Sequence, residues 1–288
     1  MSGRWLAAML ALLMALSALG TGNARQAVRL AGVAGALERA KDRVAEAAPE
    51  APAAIIEASG PEEAIQAFCA GLGAQTADGL VLLRRLRIDE RDRCLANGVG
   101  ELAELDLGAM GFIVLGAPTA TLTRRQLWRA LAAELVEGSD LAQNRAATWT
   151  EIDPSLPAQA IRIIGPEPGS QGARLLAALV LEEACQAVPD LARRLAQEPK
   201  LRPRLCGTLR SDAAYGATAP EAAAATRLLD ISRIGGLGPE AALIEGVRPD
   251  AETIATGKYP LARHAWLTLK RAHAAAIPGL SSLIAAAR

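Results

Sequence analysis

Short apolar segments of strand length alternate with amphipathic segments of helix length along most of this chain, a pattern that predicts mostly parallel sheets flanked by helices. Ala27 to Ala31 reads as a first strand ending at Gly32, a helix follows over Ala36 to Ala47, and a proline-rich break leads to a second strand over Ala53 to Ala58. Ser59-Gly60-Pro61-Glu62-Glu63 has the order of a helix start: Ser59 can cap, proline suits the first turn and two acids suit the dipole. That helix should run to about Gly71. Leu80 to Leu83 predicts a third strand, and Asp89 opens a helix that Asn97-Gly98 closes. Leu102 to Leu107 and Phe112 to Leu115 read as two strands, and the interruption at Gly108 to Gly111 predicts a crossing between lobes. Thr123 and Gln126 form a capping-box pattern ahead of the apolar Leu127 to Leu135. Ala160 to Ile164 predicts a strand that feeds a helix over Ala173 to Cys185, and Ala265 to Leu269 and Leu280 to Ala287 close the chain as strand and helix.

The N-terminal segment is of a different kind. Arg4 precedes an unbroken apolar run from Trp5 to Leu16, and small and polar residues follow up to Ala24. Basic, apolar and small-residue segments in that order mark a secretory signal over residues 1–24. The run falls short of the ~20 apolar residues that spanning a bilayer requires, so no anchor should remain after cleavage. Export to an oxidising space makes the cysteines informative. Cys69, Cys94, Cys185 and Cys206 fall into two pairs that each close a short loop, as two local disulfides would. Four buried thiols are the alternative, while a zinc site lacks a Cys-x-x-Cys pair.

Composition excludes more than it suggests. The 31 basic and 31 acidic side chains cancel, leaving no overall field to attract nucleic acid or anionic lipid. Gly236-Leu237-Gly238-Pro239-Glu240-Ala241 formally fits a dinucleotide fingerprint but lacks a following βαβ unit. Gly169-Ser170-Gln171-Gly172 is not a nucleophile elbow, and neither His264 nor His273 has an orienting acid nearby in sequence. These features point away from an enzyme and call for no metal or cofactor.

From Cys69 onward the chain resembles the phosphate-binding proteins of bacterial phosphate ABC transporters. The likeness rests on Phe68-Cys69-Ala70-Gly71, Asn97-Gly98-Val99, Leu122 to Gln126, Trp149 to Pro157, Arg210 to Tyr215, Gly246 to Pro249 and Thr253 to Pro260. The resemblance implies an α/β, two-lobed periplasmic binding protein-like fold. Each lobe would be a mixed, mostly parallel sheet flanked by helices, and crossing strands would join them. It places lobe 1 at 25–108 plus 244–288 and lobe 2 at 109–243, with a ligand in the cleft between. The two cysteine pairs also recur in such relatives.

The same resemblance locates the expected anion site, where backbone amides at helix N-termini act together with hydroxyls and an arginine. Ligand contacts fall to Ser59, Gly60, Arg84, Arg85, Ser170, Gln171, Gly172 and Arg174. Here the chain departs from its relatives. The first loop reads Gly32-Val33-Ala34-Gly35 and has lost its hydroxyls; the second has gained a proline, Glu62 and Glu63. Leu83 stands where a serine precedes the arginines, and Ala109 and Met110 replace an aromatic residue and an aspartate. The diagnostic Ser-Gly-Thr-Arg-Asp has become Ser170-Gln171-Gly172-Ala173-Arg174, with the arginine one residue late and so turned by about 100° around the helix. Losing three charge-assisted hydrogen bonds at roughly 2 kcal/mol each weakens phosphate binding about ten-thousand-fold. The expectation is a monomeric, periplasmic substrate-binding protein of the phosphate-transporter type with an eroded site. It would bind inorganic phosphate weakly or prefer another small oxyanion, and a transporter permease would be its partner. The alternative is a non-transporting paralogue that acts as a sensor or interaction module.

Overall fold

The computed structural model describes residues 27–50, 52–56, 60–137, 140–218, 225–233 and 240–287. The secretory signal, the Ser59 cap and most of the glycine-rich fingerprint, residues 236–239, lie outside the described residues. No helix among the described residues is long and apolar enough to cross a membrane.

Strand β1 (Val28–Gly32) is followed by α1 (Ala34–Ala47), β2 (Ala53–Ile56), α2 (Pro61–Phe68), β3 (Gly79–Leu82) and α3 (Ile88–Ala96). β1 pairs in parallel with both β2 and β3, and all four residues of β3 are buried, the signature of strands covered on both faces. Pro61 opens α2 with Glu62 and Glu63 in its first turn and Gly60 at the N-cap. Next come the long β4 (Leu102–Leu115), β5 (Thr121–Leu122), α4 (Arg124–Leu131), the hairpin of β6 (Glu134–Glu137) with β7 (Asp140–Gln143), α5 (Trp149–Ile152) and β8 (Ile163–Ile164). One continuous helical stretch runs through α6 (Gln171–Leu176), a π-helical segment (Ala177–Glu182) and α7 (Glu183–Ala187). The chain ends with α8 (Pro189–Gln197), α9 (Arg202–Gly207), β9 (Tyr215–Gly216), β10 (Thr226–Asp230), β11 (Leu243–Ile244), α10 (Ala251–Ala255), β12 (Ala262–Lys270) and α11 (Leu280–Ala286).

Eight of these strands form one mixed sheet in the order β2-β1-β3-β12-β4-β10-β8-β9. β4 pairs antiparallel with β12 over most of its length, and its last residues, Phe112 to Leu115, pair antiparallel with β10. It therefore belongs to both halves of the sheet. The sequence predicted two strands with a break at Gly108 to Gly111; β4 instead runs through as one strand, and the irregularity is a β-bulge. Between the pairs Asp106↔Trp266 and Ala109↔His264, Leu107 and Gly108 oppose the single residue Ala265. Gly108 takes φ +84°, which a side chain at that position would resist. Its amide donates to Asp106 Oδ1 at 2.7 Å. The guanidinium of Arg39, on α1, donates to the Leu107 and Ala109 carbonyls at 3.2 and 2.9 Å. The backbone groups displaced by the bulge thus find partners.

The capping box forms as predicted: the Gln126 amide donates to Thr123 Oγ1 at 3.1 Å and the Thr123 amide to Gln126 Oε1 at 2.9 Å. The helix ends at Leu131 rather than Leu135. Its termination is tertiary: the carboxamide of buried Asn144 donates to the Arg129 and Ala132 carbonyls at 2.7 and 2.8 Å. That leaves the residues beyond Ala133 to form β6.

A large apolar core runs from α1 through β4 and β12 to α4, α6 and the π-helical segment, so both sheet halves share it. A smaller one lies among β1, β3, α2 and α3 and contains the disulfide Cys69–Cys94. The second disulfide, Cys185–Cys206, joins α7 to α9. Replacing Cys185 and Cys206 together by alanine removes a cross-link that closes a loop with a sequence separation of 21. A loss of about 3 kcal/mol is expected in non-reducing urea unfolding.

Candidate functional site

Each expected ligand loop precedes a helix. α1 starts after Val33, whose amide donates to the Val81 carbonyl at 2.9 Å. Val33, at the N-cap, supplies no side-chain cap. α6 starts after Ser170, whose Oγ accepts from the Ala173 amide at 3.1 Å, so this hydroxyl serves as an N-cap. The two first turns meet directly. A β-carbon on Gly35 would overlap the Leu175 Cβ and stand 3.0 Å from the Gln171 carbonyl. Gln171 Nε2 donates to Glu38 Oε1 of α1 at 3.5 Å. Leu175 itself is buried.

Gly172 is held at the same place from the other side. A β-carbon there would come within 3.0 Å of the Pro166 ring, so a threonine could be seated only if that loop moved. Tyr215 fixes the loop, its hydroxyl donating to the Pro166 carbonyl at 2.7 Å. Burial, with nearby Glu167 adding to it, pushes the Tyr215 phenol up to about 12. Arg174 lies one turn into α6 with its side chain exposed.

The arginines that survive from the expected site are engaged by carboxylates. Arg84 forms a two-pronged pair with Glu90, at 2.7 Å from Nη1 and 2.6 Å from Nη2. Glu90 is only 2% exposed and also accepts from the Arg87 amide at 2.8 Å. Burial pushes its carboxyl up, but these hydrogen bonds outweigh burial and hold it below its ordinary 4.5. Arg85 donates to Glu104 at 3.1 Å and lies 4.0 Å over the Trp266 ring. Gly60 faces open space at the start of α2. Glu62, two residues on, is bound to Arg93 of α3. The structure therefore brings Gln171, Gly172 and the first turn of α1 together, while Arg84 and Arg85 point to their own acids.

Three polar residues near the bulge were not singled out from the sequence as site residues. They are Arg39, described above, Asp106 and Glu183. Asp106 lies 2.9 Å from Nδ1 of His264, whose Nε2 is 3.1 Å from the Ala255 carbonyl. Glu183 accepts from Arg263 of β12 at 3.0 Å and stands 3.6 Å from Arg124. Asp106 sits at the bulge itself, accepting from the Gly108 amide and facing His264 across the strand pair.

Several motifs that carry the family resemblance turn out to hold the scaffold. Arg210, 4% exposed, clamps Asp212 with two hydrogen bonds of 2.9 and 2.6 Å and also reaches the Ala130 and Ala146 carbonyls. Asp153 accepts from the amide and hydroxyl of Ser155 and from Gln126, which hold its carboxyl at about 2.

A family model described as a PBP superfamily domain matches residues 17–285. Among solved structures, a possible phosphate binding protein from Planctomyces limnophilus superposes with a TM-score of 0.57 at 16% identity, covering 86% of this chain and 82% of that one. An ABC-type phosphate transport receptor from Vibrio cholerae gives 0.48 at 16% identity, with 85% and 87% covered. PstS from Borrelia burgdorferi gives 0.46 at 14% identity, with the same coverage. No curated protein matches the chain. The Planctomyces likeness establishes the shared fold.

Gly35→Ala should cost roughly 1–3 kcal/mol through overpacking against Leu175, read from the midpoint of urea unfolding; an unchanged midpoint would show that the two helices do not touch. A second expectation concerns acid. Because the Glu90 carboxyl sits below its ordinary 4.5 when folded, its contribution is complete above that value and is lost as pH falls through the lower folded one. Glu90→Gln should therefore flatten the acid limb of stability below pH 4.5, measured as urea midpoint against pH.

Proposed function

The chain belongs to the PBP superfamily, and from that membership we propose that it is an exported substrate-binding protein of the phosphate-transporter type whose oxyanion site has eroded. In this reading a signal over 1–24 is cleaved and the mature chain works in the periplasm as a monomer. Its lobes are 25–108 plus 244–288 and 109–243, and its ligand contacts come from Ser59, Gly60, Arg84, Arg85, Ser170, Gln171, Gly172 and Arg174. It binds rather than transforms its ligand, and a permease is its partner.

The observation that carries the eroded-site reading is the direct contact of α1 and α6, with Leu175 pressed on Gly35. A phosphate seated between helix N-termini needs donors aimed at it from both sides. Here the Ser170 hydroxyl is used within its own helix and the Arg84 guanidinium is bound to a buried carboxylate. Any anion that enters must part the two helices or compete with Glu90. Both requirements weaken affinity.

The same contact favours a second reading, a non-transporting paralogue that keeps the fold as a sensor or interaction module. A shared apolar core that already joins the sheet halves needs no ligand to hold them together.

A thermal-shift and calorimetry series on the mature chain with phosphate, sulfate and larger oxyanions separates these readings. A ligand present at a hundred times its dissociation constant stabilises by about 2.7 kcal/mol. The eroded-receptor reading expects no shift at micromolar phosphate and a shift at millimolar phosphate or with another oxyanion. A shift at micromolar phosphate overturns the erosion. No shift with any oxyanion, together with a stable protein partner in periplasmic pull-downs, replaces the receptor by the interaction module.

A further inference from the structure

The strongest unassigned feature lies away from the α1–α6 junction and shares no residue with it. A cavity of about 460 Å³ opens between α4, β6 and α8, within the size range of small-molecule sites. Buried Trp128, Leu135, Val188 and Leu191 contribute its apolar lining. The Trp128 indole N–H is occupied inward, donating to the Leu205 carbonyl at 3.0 Å, so the ring presents carbon to the cavity. Arg125, Arg129, Arg193 and Arg194 also line it. A second cavity of about 430 Å³ adjoins it, sharing Arg129 and Leu135 and adding Arg145.

The charge of this double cavity is out of step with the rest of the chain. Five arginines line it against two acids, Asp190 and Glu151, in a protein whose acids and bases balance at 31 each. Both acids are already engaged: Asp190 pairs with Arg193 at 3.3 Å, and Glu151 accepts from the Thr148 hydroxyl at 2.7 Å and the Ala147 amide at 3.1 Å. Arg194 pairs through Nη2 with Glu198 at 3.0 Å and Arg129 Nη2 donates to the Glu151 carbonyl at 3.2 Å, yet the Nε atoms of both are buried without a hydrogen-bond partner, an unfavourable state for such donors. Guanidinium groups bind planar carboxylates through paired hydrogen bonds. An apolar lining beside surplus guanidinium calls for a ligand that carries both an apolar body and an anionic head.

We infer that this cavity is a binding site for a small organic carboxylate, its apolar body against Trp128, Leu135 and Leu191 and its carboxylate held by Arg129 with Arg125 or Arg194. Inorganic oxyanions lack the body that the lining would bury, and the neutral analogue lacks the head.

The test titrates the mature chain with phenylacetate and octanoate, with phenylacetamide as the neutral counterpart of the first and sulfate as the bodiless anion, by calorimetry and thermal shift. A carboxylate is expected to bind at least tenfold more tightly than phenylacetamide and sulfate, and to weaken as salt is raised. Arg129→Gln and Arg194→Gln should each weaken it tenfold or more. Arg125→Gln changes an exposed side chain, so it keeps the test decisive if either of the others unfolds, and it should weaken binding at least threefold. The inference is overturned if neither carboxylate binds at millimolar concentration, if phenylacetamide binds equally well, if binding is unchanged in the folded variants, or if an acidic peptide binds where both carboxylates fail.

Discussion

The antiparallel pairing of β4 with β12 is the constraint on which the rest of this molecule depends. β12 carries β3 on its other edge, and through it the parallel strands β1 and β2. β4 in turn hands its last residues to β10, which carries β8 and β9. A slip of one residue in this ladder would turn every side chain of the central strands to the opposite face. The bulge at Leu107 and Gly108 fixes the register against such a slip. Arg39 reaches from α1 to the Leu107 carbonyl within it and the Ala109 carbonyl just after it. The first helix is thereby tied to the centre of the sheet, and the direction of its N-terminus follows.

That direction decides the character of the cleft. With α1 held by its own arginine, its first turn meets α6 at a glycine, and Leu175 is packed at the meeting point. Arg84, Arg85 and Arg263 are present, but each has a carboxylate within hydrogen-bonding reach. A guanidinium bound to a shielded carboxylate is a structural tie, and releasing it to a ligand would leave the acid without compensation. In this chain the bonds of these three arginines go to carboxylates of the scaffold.

Much of the fold was legible in the sequence. The buried strands stand out because runs such as Leu80 to Leu83 are apolar on both faces, and the Thr123–Gln126 box declares its helix start through local hydrogen bonds. What escaped was set by distant partners. The end of α4 depends on Asn144, so Ala132 and Ala133 read as continuing helix when considered locally. The glycines at 108 and 111 suggested a break because composition does not distinguish a gap from a bulge that Arg39 supports. At the site, the identity of each arginine was visible, but its engagement was not, since Glu90 and Glu104 enter from α3 and β4. The packing of Gly35 on Leu175 left no local signal at all.

The order of the cysteines carries a consequence for how such a chain matures. Four thiols allow three pairings, and the one adopted joins first to second and third to fourth. When a polypeptide is threaded N-terminus first into an oxidising compartment, each thiol in this arrangement meets its mate before the next couple emerges. Under the export proposed for this chain, vectorial delivery would favour the native connectivity, with little call on an isomerase to correct it.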